Sequence, residues 1–190
     1  MEIHLIRHTA VENPENLCYG FAEMPLKKNY IDDFKSLDID CRFDVIISSP
    51  SERCRLLADY FKFNYHTDER LREMNFGNWE LKKWTDIPEE EITPWYKDFV
   101  NIKTAGGENL LEMQNRVLSF WRDLIGRKSK EKVLIITHAG VIRLILQTVL
   151  QFPLENMFTI QIDYGKKVII HVNEGIFRKK GECIIAVLIQ

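Results

Sequence analysis

Arg7 and His8 follow directly on the apolar residues Ile3, Leu5 and Ile6, so a strand ends in a fixed cation and an imidazole of near-neutral pKa. The pattern recurs twice. VIISSPSER leads from an apolar run to Arg53, and LIITHAG leads from another to His138. A guanidinium offers a planar fork of donors that matches phosphate oxygens, and a neutral imidazole is a nucleophile. In open parallel α/β sheets, ligands bind beyond the carboxyl ends of the strands, where helix N-termini present unpaired N–H groups to anions. If the three strands are neighbours, Arg7, His8, Arg53 and His138 converge into a phosphate pocket whose nucleophile is an imidazole. Each residue alone has a plainer explanation, since a histidine after a strand is more often a structural hydrogen-bonding group and a lone arginine a solvated charge.

The elements needed to position these groups are legible. Phe43 to Ser48 is β-rich and stops at Ser48-Ser49-Pro50, after which Leu56, Leu57, Tyr60 and Phe61 mark one helical face. A longer helix is expected from Glu108 to Ile125, entered through a flexible Gly106-Gly107, and Val133 to Thr137 reads as a strand buried on both faces. His138-Ala139-Gly140 then opens an apolar helix through Leu150. Thr159 to Asp163, Val168 to Val172 and Ile184 to Ile189 read as late strands with turns at Tyr164-Gly165 and Lys179-Lys180-Gly181. Glu89-Glu90-Glu91 after Pro88 suits the first turn of a helix. The expected architecture is an α/β three-layer sandwich: a mostly parallel sheet, helices on both faces and an antiparallel C-terminal portion. With no repeat, low-complexity tract or linker, residues 1–190 are expected to form one domain.

Composition sets the surroundings. At 190 residues, 45% hydrophobic, the chain can bury a sizeable core, and a formal net charge of -2 offers no cationic field for nucleic acid or anionic lipid. No apolar run approaches the roughly 20 residues that span a bilayer. Met1 leads straight into the first strand without room for a signal peptide, so a cytoplasmic protein is expected. Cys18, Cys41, Cys54 and Cys183 have neither CxxC pairing nor regular spacing, which suits reduced thiols rather than a zinc site or a disulfide framework. Trp79, Trp84, Trp95 and Tyr96 suit core or loop packing better than a pocket for a flat aromatic group. His4 and His66 belong to no motif and are read as structural.

Six segments in order, RHT, CYGFAEMPL, SSPSERCRLLA, LREMNFGNWE, GGENLLEMQNRV and THAGVIR, resemble the histidine phosphatase superfamily, which includes the cofactor-dependent phosphoglycerate mutases. Each segment is weak alone; the ordered set is specific. CYG followed by Pro-Leu, Ser-Ser-Pro with Arg-Cys, and FGNWE with WTDIP look most like the branch of α-ribazole-5'-phosphate phosphatases of cobalamin nucleotide-loop assembly.

That resemblance implies that His8 takes the phosphoryl group, that Arg7, Arg53 and His138 hold its oxygens, and that Glu73 protonates the leaving alkoxide and later activates water. Glu80 is the rival carboxylate, and spacing does not separate the two. The resemblance also implies that Thr9, Tyr19 and Gly20 border the substrate, and that neither a metal nor another cofactor is needed. Thr9 replaces the commoner Gly, Glu23 stands where Asp is usual, and Leu81 where Gly often follows Trp-Glu. The readings that remain are an α-ribazole-5'-phosphate phosphatase, a phosphatase of the same chemistry with another small phosphomonoester, and a catalytically silent phosphate-binding protein. A phosphoglycerate mutase fits less well, because those enzymes carry longer insertions.

Overall fold

The computed structural model of the chain describes residues 1–37, 39, 42–127, 131–178 and 182–189; residues 173–178 and 182–189 are described by their backbone. Six strands form one sheet in the order β3-β2-β4-β1-β5-β6. They are β1 (Glu2–Arg7), β2 (Val45–Ser48), β3 (His66–Thr67), β4 (Lys132–Thr137), β5 (Lys167–Arg178) and β6 (Glu182–Ile189). β3, β2, β4 and β1 run parallel, whereas β5 lies antiparallel to β1 and β6 antiparallel to β5. The expected α/β sheet with an antiparallel C-terminal portion is therefore the one observed.

Side chains alternate across the central strands. Ile3, Leu5, Val133 and Ile135 join one apolar cluster, and Ile6, Leu134 and Ile136 the other. On the first face lie α4 (Leu110–Gly126) and α5 (Ala139–Leu150); on the second lie α1 (Tyr30–Ser36) and α2 (Glu52–Tyr60). α3 (Glu89–Lys97) follows a chain of short turns and starts, as expected, with its three glutamates in the first turn. α4 begins at a capping box in which Asn109 and Glu112 satisfy each other's backbone N–H groups. Among the described residues, no helix is long and apolar enough to cross a membrane.

Three local expectations need correction. Thr159 to Asp163 is not a strand: a 3₁₀ segment ends at Thr159, and the carbonyls of Ile160 and Ile162 accept from the guanidinium groups of Arg143 and Arg7 instead of from a neighbouring strand. The buried face of α2 is Arg53, Cys54, Leu57 and Ala58, because Arg53 is turned inward. Leu56 and Phe61 are only partly buried. Gly106 and Gly107 form no flexible entry. Gly106 has φ +71°, and a Cβ at Gly107 would lie 2.3 Å from the Asn75 carbonyl oxygen, so the backbone packs too tightly for any other residue. The expected turn at Lys179-Lys180-Gly181 lies outside the described residues, as does Cys41. Cys18 and Cys54 are free, buried thiols.

Candidate active site

The parallel register brings the reactive groups together. Arg7 pairs with Thr137 across β1 and β4, and Ser48 with Ile136 across β2 and β4, so the three strands end side by side. His8 and His138 extend β1 and β4 by one residue, with ring centroids 5.2 Å apart. His8 Nδ1 lies 2.7 Å from the Thr9 carbonyl oxygen. A carbonyl only accepts, so Nδ1 carries the proton and Nε2 keeps its lone pair. Burial, then the nearby charges of Arg53 and Arg7, hold the His8 pKa well below its ordinary value. Its imidazole is neutral at physiological pH.

Arg7 is pinned from two sides. Its Nη1 donates to the Ile162 carbonyl at 2.6 Å, and its guanidinium carbon lies 3.6 Å from the centre of the Tyr164 ring. Arg53, 1% exposed, enters from the first turn of α2. Its Nη2 donates to Gly20 O at 2.6 Å and its Nη1 to Ala22 O at 3.0 Å. The loop supplying those carbonyls is itself held by Glu80, which accepts from the backbone N–H groups of Gly20, Phe21, Ala22 and Phe76 at 2.9–3.0 Å. Glu23 accepts from the backbone N–H of Glu52 at the start of α2 and lies 3.7 Å from Arg53 Nη1. The Nε atoms of both Arg7 and Arg53 are buried without a hydrogen-bond partner. A buried guanidinium N–H left unpaired is costly, and an anion between the two arginines would satisfy both.

His138 is fully buried and serves as N-cap of α5. Its Nε2 lies 2.8 Å from Ser49 Oγ. Its Nδ1 is buried without a protein partner. Burial, followed by the charge of Arg53, pushes the His138 pKa well below its ordinary value. The Cys54 thiol, 3.7 Å from His138 Nε2, is pushed up by burial to about 12 and stays protonated.

Glu73 sits opposite. Its carboxylate accepts from the backbone N–H of Met74 at 3.0 Å and of Gly140 at 3.1 Å. A Cβ on Gly140 would lie 2.1 Å from Glu73 Oε1, which is why glycine stands in the first turn of α5. Arg116 of α4 fixes the segment from behind, donating to the carbonyls of Arg70, Arg72 and Glu73 while paired with Glu108 at 2.6 Å. Arg7, His8, Glu73 and His138 together line a cleft of about 210 Å³, with walls that include Leu17, Tyr19, Phe76, Trp84, Met157 and Phe158. Such a cleft can hold a tetrahedral anion at its polar end and an apolar group beyond it. Among the described residues, no three His, Cys, Asp or Glu side chains converge to hold a metal ion.

The sequence profile described as Histidine phosphatase superfamily (branch 1) matches residues 3–181. The chain belongs to that superfamily. This histidine phosphatase is 28% identical over 186 residues to the adenosylcobalamin/alpha-ribazole phosphatase of Salmonella typhimurium, with 92% of each chain covered. Its fold matches the crystal structure of the alpha-ribazole phosphatase from Shigella flexneri with a TM-score of 0.83, 28% identity and 92% of each chain covered. It is also 24% identical over 185 residues, 92% of this chain and 88% of the other, to phosphoserine phosphatase 1 of Hydrogenobacter thermophilus.

In this histidine phosphatase four of the five residues singled out for chemistry, Arg7, His8, Glu73 and His138, line one cleft, and Arg53 is buried behind it, 5.4 Å from the Tyr19 ring in its wall, whereas the three singled out as bordering the substrate do not behave alike. Tyr19 lines the cleft, and its hydroxyl lies 2.8 Å from that of Tyr164. Thr9 is buried with an unpartnered hydroxyl. Gly20 faces away: its N–H and C=O are taken by Glu80 and Arg53, and a Cβ there would lie 1.7 Å from the Met74 carbonyl oxygen. Glu80 has every carboxylate contact used for that loop, which distinguishes it from Glu73. Sequence reading missed Arg143, Tyr164 and Arg116. The signal for Arg143 was present, because it lies one turn beyond His138-Ala139-Gly140 on the same helix; Arg116 stands in GGENLLEMQNRV without a role assigned to it, and Tyr164 was read only as a turn residue.

Proposed function

We propose that the chain is a single-domain phosphomonoester hydrolase that works through a phosphohistidine on His8, with α-ribazole 5'-phosphate as its leading substrate. The carrying observation is the free Nε2 of His8, deprotonated because Nδ1 donates to Thr9 O, beside two arginines whose Nε donors have no partner. In the first step Nε2 attacks phosphorus and the bond to the ester oxygen breaks. Arg7, Arg53 and His138 hold the three equatorial oxygens as negative charge spreads over them. Positive charge developing on His8 is met by the Thr9 carbonyl on Nδ1. Glu73 gives its proton to the departing alkoxide. In the second step the Glu73 carboxylate takes a proton from water, the water oxygen attacks phosphorus, and orthophosphate leaves as the lone pair returns to Nε2.

The apolar walls of the cleft favour an ester whose alcohol carries a flat aromatic group, in keeping with the α-ribazole phosphatases it resembles. A labelled phosphomonoester quenched within a turnover should give an acid-labile, base-stable phosphoprotein that is absent from His8→Ala. Label persisting in His8→Ala would refute the nucleophile. A panel of phosphomonoesters should place α-ribazole 5'-phosphate above phosphoserine in kcat/KM; the reverse order would assign the site to the phosphoserine reading instead.

A further inference from the structure

One short return of the chain, from Ile162 to Lys166, wraps the end of β1. The Arg7 N–H donates to the Lys166 carbonyl at 3.1 Å, and the Gly165 N–H lies 3.2 Å from the Arg7 carbonyl oxygen and 3.3 Å from that of His8. Arg7 Nη1 donates to the Ile162 carbonyl at 2.6 Å. Gly165, at φ +70°, permits the turn. Tyr164 stands in the middle of this return, its ring centre 3.6 Å from the Arg7 guanidinium carbon and 5.6 Å from the centre of the His8 ring. We propose that Tyr164 is a positioning residue for phosphoryl transfer, whose ring face fixes the plane of the Arg7 guanidinium so that its Nε edge meets the phosphoryl oxygens.

A single hydrogen bond at Nη1 leaves a guanidinium free to hinge about that bond, and a ring stacked on its face removes the hinge. With Nη1 committed to Ile162, the parallel donors that remain are those of the Nε–Nη2 edge, and Nε is buried without a partner in the protein. Such a fork reaches two oxygens only in its own plane, so the plane has to be set before the ester arrives. Core packing does not account for the ring. Tyr164 is 39% exposed and, unlike Tyr19, packs against neither apolar cluster of the described residues. Its hydroxyl lies 2.8 Å from that of Tyr19, whose ring centre is 5.4 Å from the Arg53 guanidinium carbon. The tilt of the Tyr164 ring is thereby tied to the second arginine as well. That hydroxyl pair is open to water, so its bond contributes less than the stacked face.

This role rests on the phosphatase reading, in which Arg7 holds a phosphoryl oxygen. The experiment follows turnover of an aryl phosphate, and its inhibition by orthovanadate, on the intact chain. Tyr164→Leu should lower kcat by about 10- to 100-fold, the scale of a misplaced group, with a smaller change in KM. Inhibition by orthovanadate, a mimic of the transition state, should weaken by a similar factor. Tyr164→Phe keeps the ring face and should recover all but about threefold, the scale of one exposed hydrogen bond. Tyr164→Gln, which lacks a ring but suits an exposed turn, gives the same test should the leucine variant not fold. In an Arg7→Lys background no guanidinium plane remains to be set, so the loss from Tyr164→Leu should shrink below about threefold, read from orthophosphate binding where turnover is too slow. Equal losses in both backgrounds, a loss confined to KM, or a Tyr164→Phe variant as damaged as Tyr164→Leu would overturn the positioning role and leave the phosphohistidine on His8 standing. If wild type turns over no ester, calorimetry of orthophosphate binding decides instead. Weaker binding in Tyr164→Leu, recovered in Tyr164→Phe, supports the role; unchanged affinity, or none in wild type, refutes it.

Discussion

Two carboxylates separated by seven positions in one motif, Glu73 and Glu80, have different work because their oxygens have different partners. Glu80 spends both oxygens on four backbone N–H groups and so builds the loop that aims Arg53. Glu73 accepts only one backbone N–H on each oxygen and faces the cleft. Protonation matters most for a strongly basic leaving group, so Glu73→Gln should slow a ribose 5-phosphate ester by roughly 10²- to 10⁴-fold. An activated aryl phosphate, which leaves with little help, should lose at least about tenfold less. Glu80→Gln places an amide donor against two backbone donors and should cost about 1–3 kcal/mol of stability. Its activity losses should be similar for both esters, because it disturbs Arg53 rather than proton transfer. Steady-state kinetics on the two esters, with urea unfolding of both variants, checks this; a leaving-group dependence confined to Glu80→Gln would reverse the roles.

Elements that carry reactive groups were legible because each reads as an apolar run followed by a charged or polar end. β1, β2 and β4 were visible for that reason, and α4 through its apolar stripe of Leu110, Val117, Trp121 and Leu124. The phase of α2 was hidden by a buried charge: an arginine counts as an outward residue in any periodicity, yet Arg53 is turned into the protein. Tyr164 stacks on Arg7 across 157 positions of sequence (164 minus 7), a contact that only the antiparallel return of β5 creates. One departure from the superfamily pattern acquires a physical meaning. Leu81, where glycine often follows Trp-Glu, has φ 64° and is 52% exposed. A left-handed residue with a Cβ costs about 1–2 kcal/mol, partly offset by the extra freedom glycine has when unfolded. Leu81→Gly should therefore stabilise the protein by about 0.5–1 kcal/mol, while Lys82→Gly next to it should destabilise. Thermal or urea unfolding decides, and a destabilised Leu81→Gly would show that its side chain does more than occupy solvent.

At the scale of the whole molecule, concentrating cations and buried imidazoles at the carboxyl ends of the central strands makes stability depend on pH. His8 and His138 are both held well below the ordinary histidine pKa, first by burial and then by Arg53, with Arg7 adding to each. His4 is lowered too, chiefly by burial. The unfolded chain takes up protons on these residues near pH 6.5 while the folded chain refuses them, so the unfolded state binds more protons below that value. Stability is then fully present above about pH 6.5 and is lost as pH falls toward the depressed folded values, with a slope approaching about 1.4 kcal/mol per pH unit for each histidine. Paired carboxylates such as Glu2 and Asp68, also lowered, act only in the more acidic carboxylate range. Unfolding temperature should accordingly be flat from pH 8 to 7 and fall between pH 6.5 and 5. His8→Gln and His138→Gln should each make that fall shallower, and the double variant should flatten most of it. Orthophosphate should have the same effect in the wild type, because an anion against Arg7 and Arg53 lets His8 accept a proton at lower cost. An unfolding temperature that rises on acidification, or an acid loss untouched in the double variant, would show that the phosphoryl site does not govern the molecule's response to pH.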